Sequence, residues 1–345
     1  MRKALLGKSG LEVSAVGFGG IPIMRVGTKD AITVIGRAIE LGVNFIDTAM
    51  AYGDSQAKIG AAIADRREGL ILATKSGKTT KEEILDDVER ARSQMGVDVI
   101  DLYQLHSVSS EENMSAVLET DGALAGLIEA RRAGHIAHIG VTSHSLEVAL
   151  KLLDVDEFET LQFPFNLVTS EPADELIPKA RDRNVGFIVM KPMCGGQYDN
   201  PELAFKFLNG YPDLVAIPGI EAAWEIEQIV ELVESGATLS ESEAVEAQAI
   251  ADMLGKLFCR RCGYCMPCPE GVPIGLAMVF DSFVKRFPPD VLIERFGRRV
   301  AEDGAKCIEC GKCEAKCPYN LPIIDTIKQS VAKARKIMAE QEAAS

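Results

Sequence analysis

The sequence predicts an α/β fold: a parallel (β/α)8 barrel over residues 1–237, followed by a small, mostly helical, cysteine-rich unit over 238–345. Three observations carry this. Short apolar runs alternate with longer helix-period patterns through the first two thirds of the chain, as strand–helix units around a parallel sheet do. Polar and charged residues arrive at the same end of successive runs, where a TIM barrel gathers its functional groups. Eight of the nine cysteines then fall between Cys259 and Cys317.

Residues 1–16 read as a hairpin turning at Gly7, Ser9 and Gly10. Strands are expected near 14–19, 43–48, 70–75, 99–106, 138–142, 160–165, 186–191 and 214–218. Helices are expected near 29–41, 55–66, 80–95, 115–133, 145–153, 171–183, 201–209 and 222–235. A helix over 238–257 leads out of the barrel, a helical spacer over 273–305 carries Phe280, Phe283, Val284 and Phe287, and a last helix covers 323–343.

With 345 residues the chain exceeds the roughly 250 that one such barrel needs. Hydrophobic residues make up 47% and charged residues 26%, enough apolar material for a sizeable core. No apolar run approaches the ~20 residues of a membrane span. The opening residues lack the apolar core of a signal peptide. A net charge of −14 argues against nucleic acid and anionic membranes as partners. Crowded cysteines in a chain of this kind suggest metal rather than disulfides, and a cytoplasmic protein.

The strand ends carry the chemistry. Asp47 closes the run from Val43, Tyr52 follows in the next loop, Lys75 ends the run from Leu70, and His106 ends the run from Val99. Each alone is equally at home as a cap or a core residue; four in order on successive strands are not. In the settings NFIDTAMAYGDS, ILATKSG and DLYQLH, they resemble the catalytic tetrad of the aldo-keto reductases, a likeness running from GKSGLEVSAVGFGG to about residue 235. That resemblance implies hydride transfer to a small-molecule carbonyl, with Tyr52 as proton donor. A free phenol has a pKa of about 10. Lys75 would favour the phenolate, Asp47 would hold Lys75 charged, and His106 would steer the carbonyl oxygen.

The resemblance also places a nicotinamide dinucleotide on the later strands. Thr142 and Ser143 stand where the family usually shows a Ser-Asn pair for the carboxamide, and Gln162 matches its carboxamide glutamine, with Asn166 nearby. Alternatively, these polar groups only cap strand ends. Met190 stands where an aromatic often stacks on the nicotinamide, Pro192 lies in the seventh-strand loop under the pyrophosphate, and Cys194 there reads as loop packing. Gly219 lies in the eighth-strand phosphate loop Ile217-Pro218-Gly219-Ile220, and Glu221, Glu225 and Glu227 follow where NADP-preferring members put Lys and Arg in or just after that loop. NAD(H) is therefore expected in preference to NADP(H).

Two cysteine runs follow: Cys259, Cys262, Cys265 and Cys268 before Pro269, then Cys307, Cys310, Cys313 and Cys317 before Pro318. The second fits the bacterial ferredoxin spacing C-x2-C-x2-C-x3-C-P, and the first is one residue shorter. Eight thiolates suffice for two [4Fe–4S] clusters, with Cys317 expected to cross to the first run and Cys268 to the second. Two tetrahedral zinc sites are the alternative. Barrel and tail together resemble the iron–sulfur aldo-keto reductases, with a helical ferredoxin-like domain for electron transfer. A ferredoxin or another redox partner stands as a candidate partner. A flavin stands as a candidate cofactor, because it converts between hydride and single-electron steps. The competing readings are an aldo-keto reductase with structural clusters, and a non-catalytic electron carrier on a barrel scaffold.

Overall fold

A computed structural model describes residues 1–344. The chain opens with an antiparallel hairpin of β1 (Lys3–Leu5) and β2 (Glu12–Ser14). Eight parallel strands follow, paired in chain order: β3 (Phe18–Gly19), β4 (Phe45–Asp47), β5 (Ile71–Ser76), β6 (Ile100–Leu105), β7 (Ile136–Thr142), β8 (Thr160–Pro164), β9 (Gly186–Met190) and β10 (Val215–Ala216). Parallel bridges Val16–Ala216 and Gly19–Gly219 join the last strand to the first, and the Gly17 and Gly19 N–H groups each donate at 2.8 Å, to the Ala216 and Pro218 carbonyls. The sheet thus closes into a (β/α)8 barrel without an open edge. A Cβ on Gly19 would lie 2.5 Å from the Pro218 carbonyl oxygen, so the seam needs glycine there.

Helices α1 (Thr28–Glu40), α2 (Ser55–Ile63), α3 (Lys81–Met95), α4 (Glu111–Leu118), α5 (Ala123–Arg132), α6 (Leu146–Leu152), α7 (Leu176–Asp182), α8 (Pro201–Asn209) and α9 (Ala223–Ser235) fill the crossovers. α3 shows why the periodicity works. Ile84, Val88, Ala91 and Met95 make its buried stripe, the Thr80 hydroxyl accepts from the Glu83 N–H at its start, and Gly96 ends it at φ 64°. Two expected helices are broken. The span 115–133 is α4 and α5, interrupted by Thr120-Asp121-Gly122, where a Cβ on Gly122 would meet the Ala116 and Val117 carbonyl oxygens at 2.6 Å. The span 171–183 is a 3-10 turn (Glu171–Ala173) and then α7; Pro178, lacking an N–H, is confined to the first turn of α7.

The hairpin closes the barrel's N-terminal end. Leu6 and Val13 pack on Phe45, Ala73, Leu102, Ile188 and Val215, all buried. The turn rides on the start of β9 so closely that a Cβ on Gly7 would lie 2.3 Å from the Gly186 nitrogen. Functional groups are left to the other end.

The chain divides into two compact units, the second made mostly of residues 248–345, and the division falls inside α10 (Glu241–Gly255). The second unit contains α11 (Ile274–Ala277), α12 (Phe280–Arg286), α13 (Pro289–Leu292), α14 (Arg298–Asp303), α15 (Lys312–Ala315) and α16 (Ile323–Ala344). Its core is Val272, Ile274, Ala277, Met278, Leu321, Ile323, Ile327 and Val331, against which six of the cysteines pack. Among the described residues, no helix is long and apolar enough to cross a membrane.

Candidate functional site

Asp47 and Lys75, at the C-terminal ends of β4 and β5, are 2% and 1% exposed. Lys75 Nζ donates to Asp47 Oδ1 at 2.5 Å and to the Thr48 carbonyl at 2.8 Å. Burial pushes Asp47 above the ordinary carboxylate value, against the lowering by the Lys75 charge and by hydrogen bonds from Lys75 and Gln104. The pair is a buried charge couple in which neither member has water to fall back on.

Tyr52 sits above it. The loop after β4 continues the ladder with β5, since the Thr48 and Met50 N–H groups donate to the Ala73 and Lys75 carbonyls; the Tyr52 N–H then closes a turn on Ala49. Lys75 Nζ lies 5.2 Å from the Tyr52 ring centroid. His106, one residue past β6, meets the Tyr52 ring edge-on, with centroids 6.1 Å apart and planes at 86°. The structure thus brings together all four residues that the sequence singles out. It adds Gln104, whose Nε2 donates to Asp47 Oδ2 at 3.3 Å. The sequence signal for Gln104 was an amide inside the apolar run Leu102–Leu105, two residues before His106 and so on the same strand face.

The other expected binding residues ring the same barrel end. The Thr142 hydroxyl accepts from the Ser107 N–H at 2.7 Å, holding a residue of φ 62° directly after His106. Ser143, fully buried, shares its hydroxyl with the Ser145 backbone. Gln162 on β8 is 3% exposed, and its Oε1 is buried without a hydrogen-bond partner. Asn166 is committed to its loop: Nδ2 donates to the Lys191 carbonyl, and Oδ1 accepts from the Val168 and Thr169 N–H groups. Met190 ends β9 half-buried, Pro192 is buried in the following loop, and Gly219 is exposed beside Pro22. An orphaned acceptor in a buried wall fits an amide-bearing ligand such as a nicotinamide.

Glu221, Glu225 and Glu227, which follow β10, each have a partner. Arg25, from the turn after β3, donates through Nε to Glu221 Oε2 at 2.6 Å. Glu225 Oε2 accepts from the Glu221 and Ala222 N–H groups at 2.8 and 3.0 Å, covering donors at the start of α9. Glu227 pairs with Arg37 of α1 at 2.6 Å.

In the second unit, Cys259, Cys262, Cys265 and Cys317 line one cavity, and Cys268, Cys307, Cys310 and Cys313 line another, which Cys265 also borders. The two loops repeat each other. Arg261 and Glu309 have φ of 63° and 55°, each just before a cysteine, and Gly263 and Gly311 follow at 85° and 74°. Gly271-Val272-Pro273-Ile274 and Asn320-Leu321-Pro322-Ile323 repeat as well, with Gly271 and Asn320 both at positive φ. Burial pushes Cys265 up to about 12, with the charges of Cys259, Cys262 and Cys317 adding to it, and burial also raises Cys262 and Cys313. Grouped thiolates of this kind need a cationic centre to hold them ionised. Among the described residues, no three His, Cys, Asp or Glu side chains gather around a single metal ion. Each cavity is lined by at least four cysteines, the number of thiolates that a [4Fe–4S] cluster takes.

A model of the aldo/keto reductase family matches residues 15–244, and a model of the 4Fe-4S dicluster domain matches residues 258–321. The chain is 30% identical over 212 residues to an uncharacterized oxidoreductase, YqkF, of Bacillus subtilis, covering 57% of this chain and 66% of that one. It is 31% identical over 215 residues to aldo-keto reductase YhdN of the same organism, covering 57% and 63%. The chain therefore spans just under two thirds of the length of these relatives. Among solved structures, it resembles aldo-keto reductase AKR11C1 from Bacillus halodurans, at a TM-score of 0.63 and 22% identity, over 72% of this chain and 96% of that one. It also resembles an aldo-keto reductase from Klebsiella pneumoniae in complex with NADPH, at a TM-score of 0.60 and 18% identity, over 73% and 96%.

Proposed function

We propose, because the chain belongs to the aldo/keto reductase family, that its barrel reduces the carbonyl of an aldehyde or ketone with Tyr52 as the proton donor. The observation that carries this is the buried Asp47–Lys75 pair beneath Tyr52, with His106 at the edge of the phenol ring. A nicotinamide dinucleotide, when bound, would supply the hydride for the carbonyl carbon. Tyr52 gives its proton to the oxygen, forming the alcohol, and the phenolate regains a proton from water. Lys75 stabilises that phenolate through its charge. Asp47 keeps Lys75 fixed, and His106 supports the oxygen as charge develops on it. Thr142 acts one step back, pinning the backbone that carries His106. Gln162, with its unpaired buried oxygen, would hold the carboxamide, with Ser143 and Asn166 shaping the walls beside it, and Met190, Pro192 and Gly219 would contact the rest of the dinucleotide.

NAD(H) is the preferred dinucleotide in this reading. The structurally similar Klebsiella protein holds NADPH, and a 2′-phosphate calls for a cation. Here Arg25 is taken up by Glu221, and the donors at the start of α9 are taken up by Glu225. In the tail, Cys259, Cys262, Cys265 and Cys317 would hold one [4Fe–4S] cluster, and Cys268, Cys307, Cys310 and Cys313 the other. Bound clusters supply one-electron transfer, so exchange with a hydride calls for a converter such as a flavin, or for a redox partner protein.

Three outcomes are expected. Tyr52→Phe should lose carbonyl reduction by about a thousandfold or more while binding dinucleotide as before; turnover at the wild-type rate would end the assignment. Anaerobic protein should carry about eight irons per chain. Cys317→Ser should then abolish the same electron paramagnetic resonance signal as Cys262→Ser, and Cys268→Ser the same as Cys310→Ser; pairing of Cys268 with Cys262 would refute the crossing. Finally, NADH should bind about tenfold or more tighter than NADPH at matched salt, and Glu221→Gln should narrow the gap; tighter NADPH binding by the wild type would reverse the preference.

A further inference from the structure

Gln104 is a side chain whose cost the tetrad alone does not explain. It is fully buried on β6, in register between Lys75 on β5 and Gly140 on β7. Its Nε2 reaches Asp47 Oδ2, the oxygen that Lys75 leaves open, while its own Oε1 is buried with no hydrogen-bond partner. A leucine would fill similar space without stranding a carbonyl oxygen, and leaving a buried acceptor unpaired is costly. Room is made for the amide: a Cβ on Gly140 would come within 3.1 Å of Gln104 Cγ and 2.2 Å of Thr160 Oγ1. The neighbouring strand therefore carries glycine where a larger residue would press on the glutamine.

We propose that Gln104 is a positioning residue of the proton-transfer site: its amide N–H holds the second Asp47 oxygen, keeping that carboxylate ionised and oriented under Lys75. This rests on the carbonyl-reduction reading given above. Asp47 is buried, and burial favours its neutral form; each hydrogen bond to the carboxylate opposes that. With Lys75 on one oxygen, Gln104 is the side chain that serves the other. If the amide donor is lost, Asp47 takes up a proton more readily, its grip on the Lys75 ammonium weakens, and Tyr52 loses part of the cation that favours its phenolate. The titratable groups around this carboxylate are Lys75 from β5, Tyr52 from the loop after β4 and His106 from the end of β6. Lys58 on α2 is occupied by the Ile23 and Val26 carbonyls and Asp54.

Gln104→Met tests this, because methionine keeps the volume and removes the donor. The phenol is read directly, without turnover, as the tyrosinate absorbance of the full chain minus that of its Tyr52→Phe counterpart. The Tyr52 midpoint should rise by about one pH unit, tenfold in proton affinity. Carbonyl reduction should shift its pH profile in the same direction, with the substrate KM within about twofold and NADH binding unchanged. A folded Gln104→Met protein whose Tyr52 midpoint matches that of the wild type would overturn the proposal. Gln104→Leu carries the same expectation and stands in if the methionine variant does not fold. Gln104→Asn, which keeps an amide of shorter reach, should fall between wild type and Met. A wild-type chain that reduces no carbonyl would defeat the reaction assigned above, whereas the phenol titration would still decide the role of Gln104.

Discussion

The reaction proposed for the barrel depends on one buried ion pair. Asp47 and Lys75 are out of reach of water, and a lone charge so placed would cost several kcal/mol. Moving a phenol's pKa from about 10 towards neutrality requires about 4 kcal/mol. Two charges about 4 Å apart interact by roughly that amount at an effective dielectric constant of 20. One well-held lysine is therefore of the right size for the task, and a lysine that wanders is not. Much of the local structure serves to hold it: the carbonyl of Thr48, the ladder that continues past β4 onto β5, and the amide of Gln104.

The tail is governed by a different constraint. Its core is small, and six cysteines pack against that core as part of its wall. Burial makes Cys262, Cys265 and Cys313 resist ionisation, and neighbouring cysteine charges add to that. In the proposed reading, cluster ligation is accordingly expected to be coupled to the folding of this unit. The backbone is built for it twice, with positive φ at Arg261 and Gly263 and again at Glu309 and Gly311. Arg260, 7% exposed and 3.8 Å over the Tyr319 ring, lines the first cavity together with Arg261 and Arg299. A wall of that charge suits an anionic cluster.

The sequence revealed most where residue type and spacing act locally. Strand order, barrel closure and the convergence of Asp47, Tyr52, Lys75 and His106 followed from periodicity and from polar residues at strand ends. The cavity that Cys317 shares with Cys259, Cys262 and Cys265 agrees with the crossing implied by the ferredoxin resemblance. What escaped depends on contacts distant in sequence. Arg25 and Glu221 lie 196 positions apart, so the eighth-strand loop looked purely acidic when read alone. Gln104 carries no expectation from the sequence, because its partner is 57 residues away. The break between α4 and α5 was overlooked because the apolar period continues across Thr120-Asp121-Gly122, although those residues are turn formers. The repeat from Gly271 and Asn320 onward is written in residue types but becomes evident through backbone conformation.

The central claim is that the buried Asp47–Lys75 pair sets the acidity of Tyr52. It is tested most directly by titrating the Tyr52 ring carbon bearing the hydroxyl, by nuclear magnetic resonance of 13C-tyrosine-labelled protein, in the wild type and in Lys75→Met. The account predicts a wild-type midpoint at least about one unit below the ordinary value of about 10, and a midpoint at or above that value once Lys75 is replaced. A wild-type midpoint at or above 10, or one that Lys75→Met leaves unmoved, would contradict it.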